Sequence, residues 1–523
     1  MKKTATLVTL LLLFQISFAQ QSRFSKTYYD NITSFTANCM ARSFDGGLIV
    51  CGLYNYESAV MKIDSLGAMQ WANKIGFGSN ESFNSVIRTT DSCYVMAGKI
   101  LNSGSGTLDI YIAKIDQAGN LLWSKTIYQT DHQEALSIQQ TFDGGFIITG
   151  YSSYLTAPNS KIVVLKLDLY GAVEWNNLYQ GGNNSNYGAS VKQTPDSGYA
   201  FVGYVENYPP YDGNGILCKL SQTGTVEWAN KYNLTIPTQA MGNDLVVADD
   251  GIYSYYSTPG EFILVKTDFN GIDNWRETIG GLSFGSLCIN CPSPKMKLLP
   301  DGNLIFATGT LNFAQPSAVV NIDSAGNYNW SQYLYNSVHD VEQADDHGFF
   351  FLGNGPLIGV RATSILNPHV GIIKSDSLGN ADLCTTPNGA IGVNFGNTTQ
   401  GALVLTTTSY VGNSLLISPN VTPFVLSEQV SCVDFSGGID EGSANSIKLF
   451  PNPSSSSLNV QLQGMSGNVD LKIVDVLGQI VFVNKYNLST GNEIKIDHAF
   501  AKGVYSVMVN SDDKKILSKF IVQ

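Results

Sequence analysis

Every tryptophan in the chain occupies the same slot of one recurring pattern. The six are Trp71, Trp123, Trp175, Trp228, Trp275 and Trp330, and each lies four residues after a glycine: Gly67, Gly119, Gly171, Gly224, Gly271 and Gly326. Three residues before each glycine stands Asp64, Asp116, Asp168, Ser221, Asp268 or Asp323. Two residues earlier comes a lysine in five of the six copies, with Asn321 the exception. A seventh copy runs Lys374, Asp376, Gly379, with Leu383 in the tryptophan slot. Upstream of each copy lies a second turn signal: Asp45-Gly46-Gly47, Asp91-Ser92-Cys93, Asp143-Gly144-Gly145, Asp196-Ser197-Gly198, Asp250-Gly251, Asp301-Gly302 and Asp346-His347-Gly348. A sustained period of about fifty residues marks a repeat architecture.

Each turn has a mechanism. Glycine reaches positive φ without steric cost, and an aspartate side chain can bond its own backbone two residues on. The flanks read as strands, as in Phe146-Ile147-Ile148-Thr149 and Ile162-Val163-Val164-Leu165. One repeat is then strand A, an Asp-Gly turn, strand B, a variable loop, strand C, the Asp-x-x-Gly turn and strand D with its tryptophan. One such sheet cannot bury both faces, whereas radial packing of similar sheets can, leaving only short edges. The sequence therefore predicts an all-β chain whose residues 20–384 form a seven-bladed β-propeller. Phe24 to Tyr28 mirrors Trp123 to Ile127, so it is expected to be strand D of the last blade, with Phe24 in the tryptophan slot. Both tight turns must fall on one face of the ring, and the longer B–C and D–A loops on the other.

Composition excludes some functions. The net charge is −12, so a phosphate backbone would be repelled and nucleic acid is excluded as a partner. Lys2 and Lys3, the apolar run Leu7 to Phe18 and the small-x-small site Ser17-Phe18-Ala19 make residues 1–19 a secretory signal. No later stretch has the length and apolarity of a transmembrane helix.

The unit, cleanest in Thr141 to Gly150, resembles the repeat of large secreted propeller proteins of the Bacteroidetes. A second resemblance covers residues 447–523. Leu449-Phe450-Pro451-Asn452-Pro453, Val469 to Asp475, Leu477-Gly478-Gln479, Lys502-Gly503-Val504-Tyr505-Ser506-Val507 and Lys514 to Phe520, with Lys519, look like the type A sorting domain of type IX secretion. That resemblance implies a C-terminal β-sandwich, with the type IX translocon and a sortase as partners. It also implies removal of the domain, followed by attachment to surface lipopolysaccharide or release. The residues agree, because short alternating strands follow a Pro-Asn-Pro start with fixed φ. Residues 436–446 are Gly/Ser-rich and suit a linker. Residues 385–435 carry no repeat and read as a short β-rich connecting segment.

No catalytic centre is legible, and no cofactor or metal is expected. The Asp-Gly turns lack the carboxylate density of a calcium loop. Cys288 and Cys291 read as a local disulfide or as two small buried residues, and Cys384 with Cys432 as a second candidate pair. The tryptophan series is expected to pack between blades rather than to form a carbohydrate platform. The loop face is the expected binding surface, for a glycan or protein. It carries Tyr54, Tyr56, Tyr151, Tyr154, Tyr208, Tyr211 and Tyr256, with His132 and His339 expected in loops before strand A. Glu81, Asp131 and Glu134 are expected near the same mouth. The sequence reads best as a surface or released binding or adhesion protein. A propeller enzyme acting on polysaccharide and a structural surface-layer component are the alternatives.

Overall fold

The computed structural model describes residues 23–29, 34–280 and 295–380, apart from 79, 129, 154–158, 210–211, 235–238, 259–260, 309–316, 335–336 and 355–369. It also describes the backbone of short strands between 385 and 434, and residues 446–522 apart from 451–453, 464–467, 475–479, 489–492 and 512–513. These residues form two compact units, divided after Asp434.

In the first unit, seven antiparallel sheets follow one another along the chain. Strands A to D of blade 1 are Phe35–Arg42, Leu48–Tyr54, Glu57–Ile63 and Met69–Gly76. The A strands of blades 2 to 7 begin at Ser82, His132, Asn186, Met241, Met296 and Ser337. Each A strand touches the A strands of its two neighbours, so the seven surround one axis. Blade 7 takes A, B and C from Ser337–Gln343, Phe349–Asn354 and Val370–Ser375, and its D strand is Arg23–Tyr29. Phe24 lies opposite Lys374 as Trp71 lies opposite Lys62, so the N-terminal strand closes the ring in the predicted register.

The recurring residues lock the blades in two ways. Each C–D glycine has positive φ and sits against the aromatic ring of the preceding blade's D strand. A Cβ at Gly119 would stand 3.1 Å from the Trp71 ring, and one at Gly67 would stand 2.6 Å from Phe24. Glycine is thus required by both backbone conformation and interblade contact. The lysine of strand C reaches the A–B aspartate of its own blade: Lys62–Asp45 2.8 Å, Lys114–Asp91 2.6 Å, Lys166–Asp143 2.9 Å, Lys219–Asp196 2.8 Å, Lys266–Asp250 2.6 Å and Lys374–Asp346 2.7 Å. Blade 6 has Asn321 there, and its side chain bonds Asn329 instead. The C–D aspartates accept two backbone N–H groups each, as Asp116 does from Ala118 and Asn120. The repeat is accounted for by folding alone.

Residues 385–434 supply a fifth strand to every blade, added to the outer edge of strand D. The segment runs backwards around the ring. Thr385–Thr386 joins blade 6, Gly392–Asn394 blade 5, Thr398–Ala402 blade 4 and Thr406–Tyr410 blade 3; Asn413–Ile417 joins blade 2 and Asn420–Pro423 blade 1. Ser427–Asp434 ends the circuit on blade 7, against Arg23–Tyr29. The N-terminal strand is therefore paired on both sides. This belt covers edges that would otherwise present unpaired N–H and C=O groups.

The second unit holds two sheets. One orders Ser446–Phe450, Ser457–Gln463 and Glu493–Asp497; the other orders Ile480–Asn487, Asn468–Val474, Gly503–Ser511 and Lys514–Val522. Leu458, Val460, Leu471, Ile473, Ile494, Ile496 and Val507 form a common core between them. Glu493–Asp497 alternates buried and exposed residues, as a strand with one wet face must. The Tyr505 hydroxyl donates to the Ala501 carbonyl at 2.7 Å.

Candidate functional site

The channel wall is built by a bulge repeated in the A strands. Register slips at Ala37/Cys39, Phe83/Ser85, Ala135/Ser137, Gly188/Ser190, Gly242/Asp244 and Val338/Asp340. A bulge re-aims the side chains around it and leaves a residue unpaired. In four of the six, the residue after the slip compensates by accepting an N–H from the next blade. Ile138 N–H goes to Ser85 Oγ and Val191 N–H to Ser137 Oγ, both at 3.4 Å. Met296 N–H goes to Asp244 and Met40 N–H to Asp340, both at 2.8 Å.

Two layers of side chains share this inner face. The first is Cys39, Ser85, Ser137, Ser190, Asp244, Lys295 and Asp340. Two residues on, the second is Ala41, Ile87, Gln139, Lys192, Val246, Lys297 and Glu342. All six charges come from blades 4 to 7, and blades 1 to 3 supply neutral groups. Lys297 pairs with Glu342 across blades at 2.7 Å. Burial pulls the Lys297 amine down, but the Glu342 and Asp340 carboxylates overcome it and leave it well above its usual value. Burial raises the carboxyls of Asp340 and Glu342. Burial lowers the Lys192 amine, and the Asp244 carboxylate does not restore it. Burial also pushes the Cys39 thiol up to about 12, so it is no nucleophile. These charges sit on innermost strands with no motif around them. The signal that could have found them is the two-residue spacing Lys295-x-Lys297 and Asp340-x-Glu342, each counted back from an A–B turn.

The loop face is more selective than the sequence suggests. Tyr54 and Tyr256 are core residues, the second fully buried against Tyr232. Tyr151 is tied down as well. Its hydroxyl donates to Glu134 Oε2 at 2.8 Å, beside Lys99 at 3.0 Å, while Asn84 holds Oε1 at 2.8 Å. Glu81 accepts the Phe77 N–H at 2.7 Å. His132 and His339 are strand residues, not loop residues. His132 accepts the Leu108 N–H at 2.9 Å, and His339 is the bulged residue of blade 7, buried between blades. The strands begin earlier than turn signals alone indicate, which carries both histidines into the ladders.

Two of the predicted tyrosines stand out in solvent. Tyr208 is 52% exposed, and its N–H is held by Asn183 at 2.7 Å. Tyr56 is 70% exposed at the tip of a two-residue hairpin, with φ of 50° at Asn55 and 65° at Tyr56. That is the type I′ conformation, which favours Asn followed by Gly. The sequence places a bulky ring where glycine is preferred. The Glu81 N–H binds the Tyr56 carbonyl at 3.0 Å and ties the neighbouring D–A loop, with exposed Phe77, to the same tip.

Several candidates lie outside the described residues: Tyr154, Tyr211, Cys288, Cys291, Cys384, Pro451, Asn452, Pro453 and Gly478. Cys432 and Lys519 are described by backbone alone. Cys39, Cys51 and Cys218 are buried thiols. Among the described residues no group of three His, Cys, Asp or Glu side chains is placed to hold a metal ion. No helix among the described residues is long and apolar enough to cross a membrane.

Comparison with known proteins bears on both units. Residues 448–523 match the family model for the secretion system C-terminal sorting domain. A search of curated proteins gave no match. The solved structure titled "Structure of Dos1 propeller" shares 12% identity at a TM-score of 0.37, covering 65% of this chain and 78% of that one. The fold assignment rests on the sheet order, not on that likeness. The chain is an all-β propeller protein with a type IX sorting domain at its C-terminal end, exported to the cell surface or the extracellular space.

Proposed function

We propose that the exported propeller is a binding protein, whose loop face takes a glycan or protein ligand through exposed, preorganised aromatic rings. The observation that carries this reading is Tyr56. A bulky residue with positive φ is strained, and such strain collects where a side chain's position matters. Here it holds an exposed ring at the B–C turn of blade 1, with Phe77 on the adjoining loop and Tyr208 on blade 4. Tyrosine offers large contact area with one polar end and little conformational entropy to lose.

The sorting domain supports the reading by location, since a surface or extracellular protein meets such ligands directly. Hydrolysis of polysaccharide has weaker support. Glu81 and Glu134, two of the three carboxylates expected at the mouth, are bonded to backbone and side-chain groups of the fold.

Tyr56→Gly tests the proposal because its two effects have opposite signs. Glycine relieves the positive φ and should stabilise the fold by about 1 kcal/mol. It should also weaken retention of the mature protein on glycan or host-protein arrays. Unchanged retention by Tyr56→Gly and by Tyr208→Ala would remove the loop face from consideration.

A further inference from the structure

The channel holds a second candidate, independent of the loop face. Its six charges sum to zero, but they are not partnered alike. Asp244 accepts the Met296 N–H. Asp340 accepts two N–H groups, from Met40 and Val341, each at 2.8 Å. Glu342 is paired with Lys297. Every carboxylate of the arc is thus engaged. Among the described residues, the Lys192 and Lys295 ammonium groups have neither a hydrogen bond nor an ion pair. Ser190 lies two residues before Lys192 on the same face. It is 1% exposed, and its hydroxyl has no partner, whereas Ser85 and Ser137 in the same layer each accept an N–H. A buried donor without an acceptor, beside two unmatched cations, costs free energy that an entering anion would recover.

We propose that the charged arc of the channel binds a small oxyanion of the sulfate, phosphate or carboxylate class, held between Lys192 and Lys295 with the Ser190 hydroxyl as a neutral donor. The opposite wall, from blades 1 and 2, carries no charge: Cys39, Ala41 and Ser85 are buried there and Ile87 is half-buried. Charge-assisted contacts from two lysines and a hydroxyl suit an oxygen-rich anion better than a halide. Binding should be linked to protons. The anion favours the charged form of Lys192 and the neutral forms of Asp340 and Glu342, whose field would oppose it. The lowered Lys192 amine and the two raised carboxyls all lie on the side that makes affinity rise as pH falls.

Sulfate is the cleanest probe, because its charge is constant from pH 6 to pH 9. Calorimetric titration of sulfate into the chain from residue 20 to residue 523, at ionic strength held with chloride, should show saturable binding that is tighter at pH 6. Lys192→Met should weaken it about tenfold or more, the loss of one charge-assisted contact. Lys502→Met, on the exposed surface of the sorting domain, should leave it unchanged. Should Lys192→Met fail to fold, amine acetylation of the wild-type protein replaces it. Sulfate, but not chloride, should then slow modification of Lys192 read by peptide mass. No saturable sulfate binding, equal binding by a folded Lys192→Met, or acetylation indifferent to sulfate would overturn the site.

Discussion

Blade and belt are held by the same ladder of backbone hydrogen bonds, yet they take their specificity from different sources. A blade is specified by side chains. Trp123 must meet Gly171, and Lys166 must meet Asp143, at one distance and one register. A strand of the belt instead adds itself to the open edge of a D strand, where the main chain supplies donors and acceptors regardless of sequence. Its strands begin at residues 385, 392, 398, 406, 413, 420 and 427, one short step per blade. What the belt needs is step length and extended conformation. A ring can thus be sealed by an element carrying almost no motif. The seal lies where Ser427–Asp434 grips the strand that closes the ring.

The largest test of that contrast is removal of the belt. A mature chain lacking residues 385–434 exposes seven D-strand edges and frees one side of the N-terminal strand. At a net value near 1 kcal/mol per hydrogen bond, the loss should exceed ~5 kcal/mol and bring aggregation with it. Denaturant unfolding and light scattering would show it. An unchanged transition would mean that the blades suffice.

A smaller effect probes the side-chain code. Lys166→Met removes a buried ammonium bound to Asp143 and Glu174, both about half exposed. Those carboxylates can rehydrate, so the cost should be about 1 kcal/mol. Asn321→Lys, which writes the missing lysine into blade 6 opposite Asp301, should gain a few tenths of that. Thermal melts of both variants decide it. If they shift in the same direction, the lysine–aspartate pairing is not the code.

The smallest effect appears in acid. Burial raises the carboxyls of Asp143 and Asp196, but the Thr141 and Thr194 hydroxyls, the lysines and backbone N–H groups outweigh it and bring both to about 2. These values lie below the unfolded value of about 3.9, so this stabilisation is complete above that pH and is lost as pH falls through about 2. The melting difference between wild type and Lys166→Met should therefore be full at pH 5 and vanish near pH 2. A difference that persists at pH 2 would assign the lysine's contribution to packing.

How far each part was legible follows from the same contrast. The blades, their number, the closing role of Phe24 and the sorting domain were all written in side-chain types at fixed spacing. The loop-face tyrosines were visible as residues but not as surfaces, since spacing does not tell whether a ring at a strand end turns inward like Tyr256 or outward like Tyr56. The channel charges were hidden for a related reason. Lys192, Asp244 and Lys295 lie roughly fifty residues apart, the length of a repeat, so no local window brings them together.

What the sequence determined by itself is everything that local geometry enforces: positive-φ glycines, aspartate-bonded turns, the two-residue alternation of strands and the signals for export. What only the tertiary structure decided is everything that depends on neighbours a blade or more away. That includes the backward course of the belt, the arc of charge on one side of the channel and the choice of which tyrosines meet water. The physical reason is that a repeat constrains each unit against the next, while the inner and outer rims of the ring are shared by all seven units and encoded by none.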